Sequence, residues 1–217
     1  MKNYVRRLLL ACTLFISVMN LNAQLSQHGL LLNGGAGRVK HEYVSNNIVS
    51  QDESHLWKNF EYKSGFSVGY RLRFKTPAPK SFHYDMDVNA GVKYLRHTYF
   101  SFRQAEDGSF EHDGMKYSAT KPYYLTSIGG TVNYSIIKNF SAGIGIEPTF
   151  YLKKGSENNY YNNKYDIPLI AKVSYNFRVV EVGITGKYGL INVLESVGSS
   201  GKVRDIQLSL FIPFSTK

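Results

Sequence analysis

The stretch that decides the fold closes the chain: "RDIQLSLFIPFSTK", residues 204–217. Every second residue from Ile206 is apolar: Ile206, Leu208, Leu210, Ile212, Phe214. The residues between them are Asp205, Gln207, Ser209, Phe211 and Pro213. A two-residue period places one set on each face of a β-strand. Which of the two faces meets water decides what kind of protein this is.

The same alternation recurs upstream. Apolar-alternating runs cover roughly 29–39, 66–74, 82–102, 123–136, 140–152, 165–177 and 179–191, so the closing run is the eighth. None has a sustained helical period, which predicts an all-β chain. The 17 Tyr and 13 Phe fit pleated, half-buried surfaces. An apolar content of 43% and a mean hydropathy of −0.27 exclude a helical membrane protein, but not a membrane barrel, whose strands are only half apolar.

The connections alternate as well. Long ones fall at about 40–64, 103–122, 153–164 and 192–203. Short ones fall at 75–81, at 137–139 and around Arg178. One end of the molecule therefore carries tight turns and the other carries long loops. A soluble sandwich has no reason to do this, whereas outer-membrane barrels do. The expected fold is an eight-stranded antiparallel up-and-down transmembrane β-barrel spanning 24–217.

Aromatic residues bracket the apolar phase. Tyr84 and Tyr94, Tyr124 and Tyr134, Phe140 and Phe150, and Tyr165 and Tyr175 are each ten residues apart. Phe66 and Phe74 bracket the second run, and Phe214 ends the last. At ~3.3 Å per residue and a tilt near 40°, ten residues rise about 25 Å, the height of a lipid-facing band between two aromatic girdles. The opposite phase carries Arg71, Arg73, Lys75, Lys93, Lys172 and Lys187 with Asp85, Asp87, Glu147, Glu181 and Asp205. Enclosed in a narrow lumen, such charges must pair. Glycines such as Gly69, Gly91, Gly143, Gly145 and Gly183 are expected to leave room for them. A soluble exported barrel that binds a ligand is the alternative, and it explains neither the girdles nor the loop asymmetry.

The start of the chain, "MKNYVRRLLLACTLFISVMNLNAQ", has a basic segment (Lys2, Arg6, Arg7), an apolar core over 8–21 and Ala23 before Gln24. It reads as a secretory signal peptide, 1–23. Its three cations account for part of the formal charge of +10 and leave +7 for the rest. "LLAC" loosely matches a lipoprotein acceptor, but the apolar stretch before Cys12 is too short for one. Cys12 is the only cysteine, so no disulfide framework is expected.

The order of these parts resembles small outer-membrane β-barrels of the OmpA/OmpX type. "LNAQ" and the tyrosine-rich strands resemble those of barrels common in Bacteroidota. The resemblance implies location in the cell outer membrane, and a terminal strand, "QLSLFIPF", read by the outer-membrane insertion machinery. "STK" after Phe214 departs from that pattern.

Eight strands leave an interior just wide enough for side chains, which argues against a solute-conducting porin. No enzyme is expected. Asp52, Glu53, Ser54 and His55 supply the residue types of a nucleophile, a base and an orienter, so a lipid-modifying enzyme is the alternative. A triad, however, is defined by geometry and not by adjacency. Glu106, Asp107, Glu111 and Asp113 fail the spacing of a calcium loop, and Asp107-Gly108 reads as a hairpin turn. The histidines lack ligand spacing, and "NGGAG" at 33–37 is no phosphate loop. The sequence therefore predicts no cofactor and no metal. The expected partners are outer-membrane lipid and lipopolysaccharide, the insertion machinery and an unidentified extracellular ligand, without nucleic acid. The barrel is expected to be monomeric, with an envelope-structural or surface-binding role through its long loops.

Overall fold

A computed structural model describes residues 24–43, 57–75, 81–104, 110–152, 164–196 and 199–214. Among these there is no helix. Eleven strands form one sheet: β1 (Gln24–Tyr43), β2 (Trp57–Lys75), β3 (Phe82–Gln104), β4 (Phe110–Ile137), β5 (Phe140–Ile146), β6 (Thr149–Tyr151), β7 (Tyr165–Asp166), β8 (Leu169–Phe177), β9 (Val180–Tyr188), β10 (Leu194–Ser196) and β11 (Ser199–Phe214).

The sheet closes. Its order is β3-β2-β1-β11-β9-β8-β5-β4, and β3 pairs with β4 to complete a ring of eight strands, every pair antiparallel. Closure satisfies the backbone groups that an open edge would leave bare. The last strand pairs with the first along its whole length, from His28↔Phe214 to Tyr43↔Ser199. This is an eight-stranded antiparallel up-and-down β-barrel.

Its side-chain polarity is that of a transmembrane barrel. Ile144 (71% exposed), Ile206 (66%), Leu208, Ile128, Val68 and Val88 all face outward. Arg71, Arg73, Asp85, Lys172, Glu181 and Asp205 are buried in the centre. The closing strand of the sequence therefore puts Ile206 and Leu208 on the wall and Asp205, Gln207, Ser209 and Phe211 in the lumen.

Two runs read as single strands are broken at one level. Glu147-Pro148 separates β5 from β6, and Ile167-Pro168 separates β7 from β8. Each proline lacks the N–H that a ladder needs. Their carbonyls still accept, from Ile128 N and Glu147 N. At the tight end, Lys138-Asn139 and Arg178-Val179 connect strands in two residues. Arg178 sits there with φ 37°.

The far end differs from the loops that were expected. Much of 40–64, 103–122 and 192–203 is strand. β3 runs on past Tyr94 to Gln104, paired with a β4 that starts at Phe110. At ~3.3 Å per residue the hairpin continues for roughly 30 Å along the strand. A bulge between Tyr62 and Ser64 inserts one residue into β2, so Lys63 and Ser64 are both exposed. The expected signal peptide with Cys12, the residues 52–55, Glu106, Asp107 and 215–217 lie outside the described residues.

Candidate functional site

Strand pairing builds the centre of the lumen. On β2 and β3, Arg71 is the register partner of Asp87, and Arg73 of Asp85. Each arginine grips its partner with two parallel bonds. Arg71 donates from Nε to Asp87 Oδ1 at 2.7 Å and from Nη2 to Oδ2 at 2.8 Å. Arg73 donates from Nε to Asp85 Oδ1 at 2.6 Å and from Nη2 to Oδ2 at 2.9 Å. Bidentate forks of this kind hold geometry as well as charge.

The opposite wall answers them. From β9, Glu181 accepts from Arg73 Nη1 at 2.7 Å and from Arg71 Nη1 at 3.2 Å. From β8, Lys172 Nζ donates to Asp85 Oδ2 at 3.2 Å and to Glu181 Oε1 at 3.1 Å. Both guanidinium groups lie over the Phe211 ring, at 5.1 and 5.3 Å from its centroid. Phe211 is 1% exposed and fills the space between the forks and β11. Six charged groups from four strands thus cross the barrel with no net charge.

Higher up, Lys93 Nζ lies 3.0 Å from Asp205 Oδ2, and Lys187 Nζ 2.7 Å from Glu147 Oε2. Of the cations named from the sequence, Arg71, Arg73, Lys93, Lys172 and Lys187 lie in these pairs. Lys75 is exposed at the narrow-turn end. Five cations meet five anions (Asp85, Asp87, Glu147, Glu181 and Asp205), so these pairs carry no net charge; a further carboxylate, Asp166, is 1% exposed and accepts from the amides of Ile167 and Ile191. The spaces left are small. Two voids of about 10 and 20 Å³ lie between these groups, room for about one water each. A third, of about 120 Å³, opens at the narrow-turn end beside His83 and Lys138.

The upper lumen changes character. Val39, Tyr62, Leu95, Tyr123 and Val203 form a buried apolar cluster from five strands. Leu125, Tyr151 and Val193 form a second. Lys93 lies beneath them, 5.7 Å from the Tyr62 ring and 5.9 Å from the Tyr151 ring. The sequence reading missed this plug, because it treated the inward phase as polar throughout. The signal was present, since Leu95, Tyr123 and Leu125 share their phase with Lys93 and Ser127. Gly69 and Gly143, expected to make room for long charged side chains, abut the amides of Asn89 and Asn133 instead.

All eleven aromatics named as girdles lie on the outward phase. Phe66, Tyr94, Tyr124, Tyr134, Phe150, Tyr175 and Phe214 are exposed, and Phe74, Tyr84, Phe140 and Tyr165 are partly covered. At the narrow-turn end Phe74 pairs with Tyr84, Phe82 with Tyr134 and Phe140 with Tyr175. Phe214 packs edge-on against His28, which is hydrogen-bonded to Tyr70.

No family model matches the chain, and no curated protein matches it. Among solved structures, one described as "NanC porin structure in rhombohedral crystal form" aligns over 86% of this chain and 99% of its own, at 8% identity and a TM-score of 0.32. The translocator domain of the autotransporter NalP from Neisseria meningitidis aligns over 96% of each chain, at 7% identity and a TM-score of 0.27. Likeness this slight carries no weight, and the chain is read from its own geometry.

Proposed function

We propose that this chain is a non-enzymatic integral outer-membrane β-barrel, of the small OmpA/OmpX-like kind, with a sealed lumen. Its role is to hold the long hairpins above β3, β4, β1 and β11 outside the cell, where they serve envelope structure or bind an external partner. The observation that carries this reading is the inverted polarity: ion pairs and Phe211 fill the centre, and isoleucine, leucine and valine cover the wall. Water cannot solvate such a wall favourably, whereas acyl chains can. Binding concentrates on loops that a rigid scaffold presents.

The test is expression with the native leader in a Gram-negative host. The protein should sediment with the outer membrane and migrate faster in gels before boiling than after. A cysteine at Gly108 should react with an impermeant maleimide on intact cells. Purified protein in planar bilayers should give no steady current. A periplasmic soluble pool would overturn the membrane assignment, and stable large-conductance steps would overturn the sealed lumen. Replacing Ser54 and His55 by alanine should leave the host's lipid A unchanged; an altered profile would make the protein an enzyme.

A further inference from the structure

The outer wall is not uniformly apolar at its upper level. Counting ten residues up from Phe214 on β11 reaches Arg204, and ten up from His28 on β1 reaches Arg38. On the neighbouring β9, Tyr188 is the register partner of Arg204. Both arginines point outward, since Val39, Val203 and Asp205 beside them are buried in the lumen. Arg38 and Arg204 are register partners. Like charges placed directly opposite on adjacent strands have Cβ atoms ~5 Å apart and repel.

Neither has a carboxylate partner among the described residues. Arg204 is instead fixed in place: its Nη2 donates to Tyr188 Oη at 2.8 Å, and its guanidinium lies 4.2 Å from the Tyr188 ring centroid. Its Nε is buried without a partner. Two arginines in register, one of them held by a tyrosine, with no carboxylate against them among the described residues, supply half of a phosphate site.

The wall directly below supplies the other half. On β1 the outward positions under Arg38 are Ala36 and Gly34. Gly34 lies in register between Phe66 on β2 and Leu208 on β11. A Cβ built on Gly34 would meet nothing within 4 Å. Ala36 faces Ile206 across the seam. A shallow furrow therefore runs down from the arginines, floored by Gly34 and Ala36 and walled by Phe66, Ile206 and Leu208.

We propose that this seam between β1 and β11 binds one phosphorylated outer-leaflet lipid, its phosphate on Arg38 and Arg204 and an acyl chain in the furrow. The site deepens the membrane reading above and rests on it. A free phosphate would satisfy the arginines but not the furrow, so the ligand is an amphiphile.

The experiment is native mass spectrometry of the full chain, folded in detergent micelles and titrated with diphosphoryl lipid A, with phosphate-free lipid A and with inorganic phosphate. Wild type should retain one diphosphoryl lipid A and hold the phosphate-free form about tenfold or more weakly. Inorganic phosphate at the same concentration should not displace it. The double variant Arg38→Gln/Arg204→Gln should lose that preference. Arg38→Lys/Arg204→Lys should fall between the two, because lysine lacks the fork. Gly34→Leu should weaken both lipids equally by filling the furrow. Arg96→Gln, an exposed arginine on β3, should change nothing. Heat-modifiable migration of every variant checks folding. Equal binding of the two lipids by wild type, an unaffected double Gln variant, displacement by inorganic phosphate, or an equal loss in Arg96→Gln would each overturn the site. Failure to fold into micelles at all would instead strike the membrane reading.

Discussion

The lower and upper halves of the lumen are sealed by opposite chemistries. Below, Arg71, Arg73, Asp85, Asp87, Lys172 and Glu181 cross the barrel as a charged lattice, with Asp85 1% exposed. Above, Val39, Tyr62, Leu95, Tyr123 and Val203 close it as a small hydrophobic core. The difference follows from what lies outside each level. Where the wall faces lipid, apolar contacts give no preference for inside over outside, because acyl chains offer the same environment. There the lumen is marked chiefly by charge and hydrogen bonding, with Phe211 packed against the two guanidinium groups. Where the strands rise past the girdle into water, burial of apolar side chains regains its driving force. The plug sits where that force returns.

The largest way to break this contrast is within the lattice. Glu181→Gln should leave Arg71, Arg73 and Lys172 facing two carboxylates, and removing one partner of a buried charge network costs about 3–5 kcal/mol. Urea unfolding in micelles reads this, and planar bilayers should show a small new conductance. A loss below about 1 kcal/mol would mean that the lattice is hydrated and weak.

In the plug, Leu95→Ala should cost about 2–4 kcal/mol, as a buried leucine truncation does. Hydrogen exchange should rise in the outer hairpins and not in the lower barrel. Exchange that rises throughout would show that the two seals are one cooperative unit.

On the wall, Ile144→Lys should cost about 2–4 kcal/mol in bilayers if Ile144 sits near mid-membrane. Stability equal to wild type would place that wall in water. The smallest effect is expected at the Arg178 turn. Its positive φ suits glycine at the first central position of a two-residue hairpin. Arg178→Gly should therefore stabilise by about 0.5–1 kcal/mol, seen as a higher urea midpoint.

Much of the barrel was legible in the sequence, and for a physical reason. A period of two is written residue by residue, so the eight runs and their phase were readable. Girdle rings at ten-residue spacing then gave the sign. Identities such as Arg71 with Asp87 were not readable, because the register of a hairpin is fixed by the connection between its strands, which alternation does not report. The extended hairpins were hidden because segments such as "EHDGMKYSATKP" are polar on both faces once above the membrane. Phe211 stood in the polar phase in plain view, yet only the structure shows it beneath two guanidinium groups. Arg38 and Arg204 were invisible as a pair, since 165 residues and a barrel closure separate them in the chain.

The central claim is that the wall faces lipid and the charges face inward. Spin labels on Ile144→Cys and Ser127→Cys, in chains without Cys12 and reconstituted in bilayers, test it most directly. The Ile144 label should collide freely with oxygen and be shielded from a water-soluble nickel complex, and the Ser127 label should be shielded from both. A nickel complex that reaches the Ile144 label as readily as one on Gly108→Cys would contradict the account.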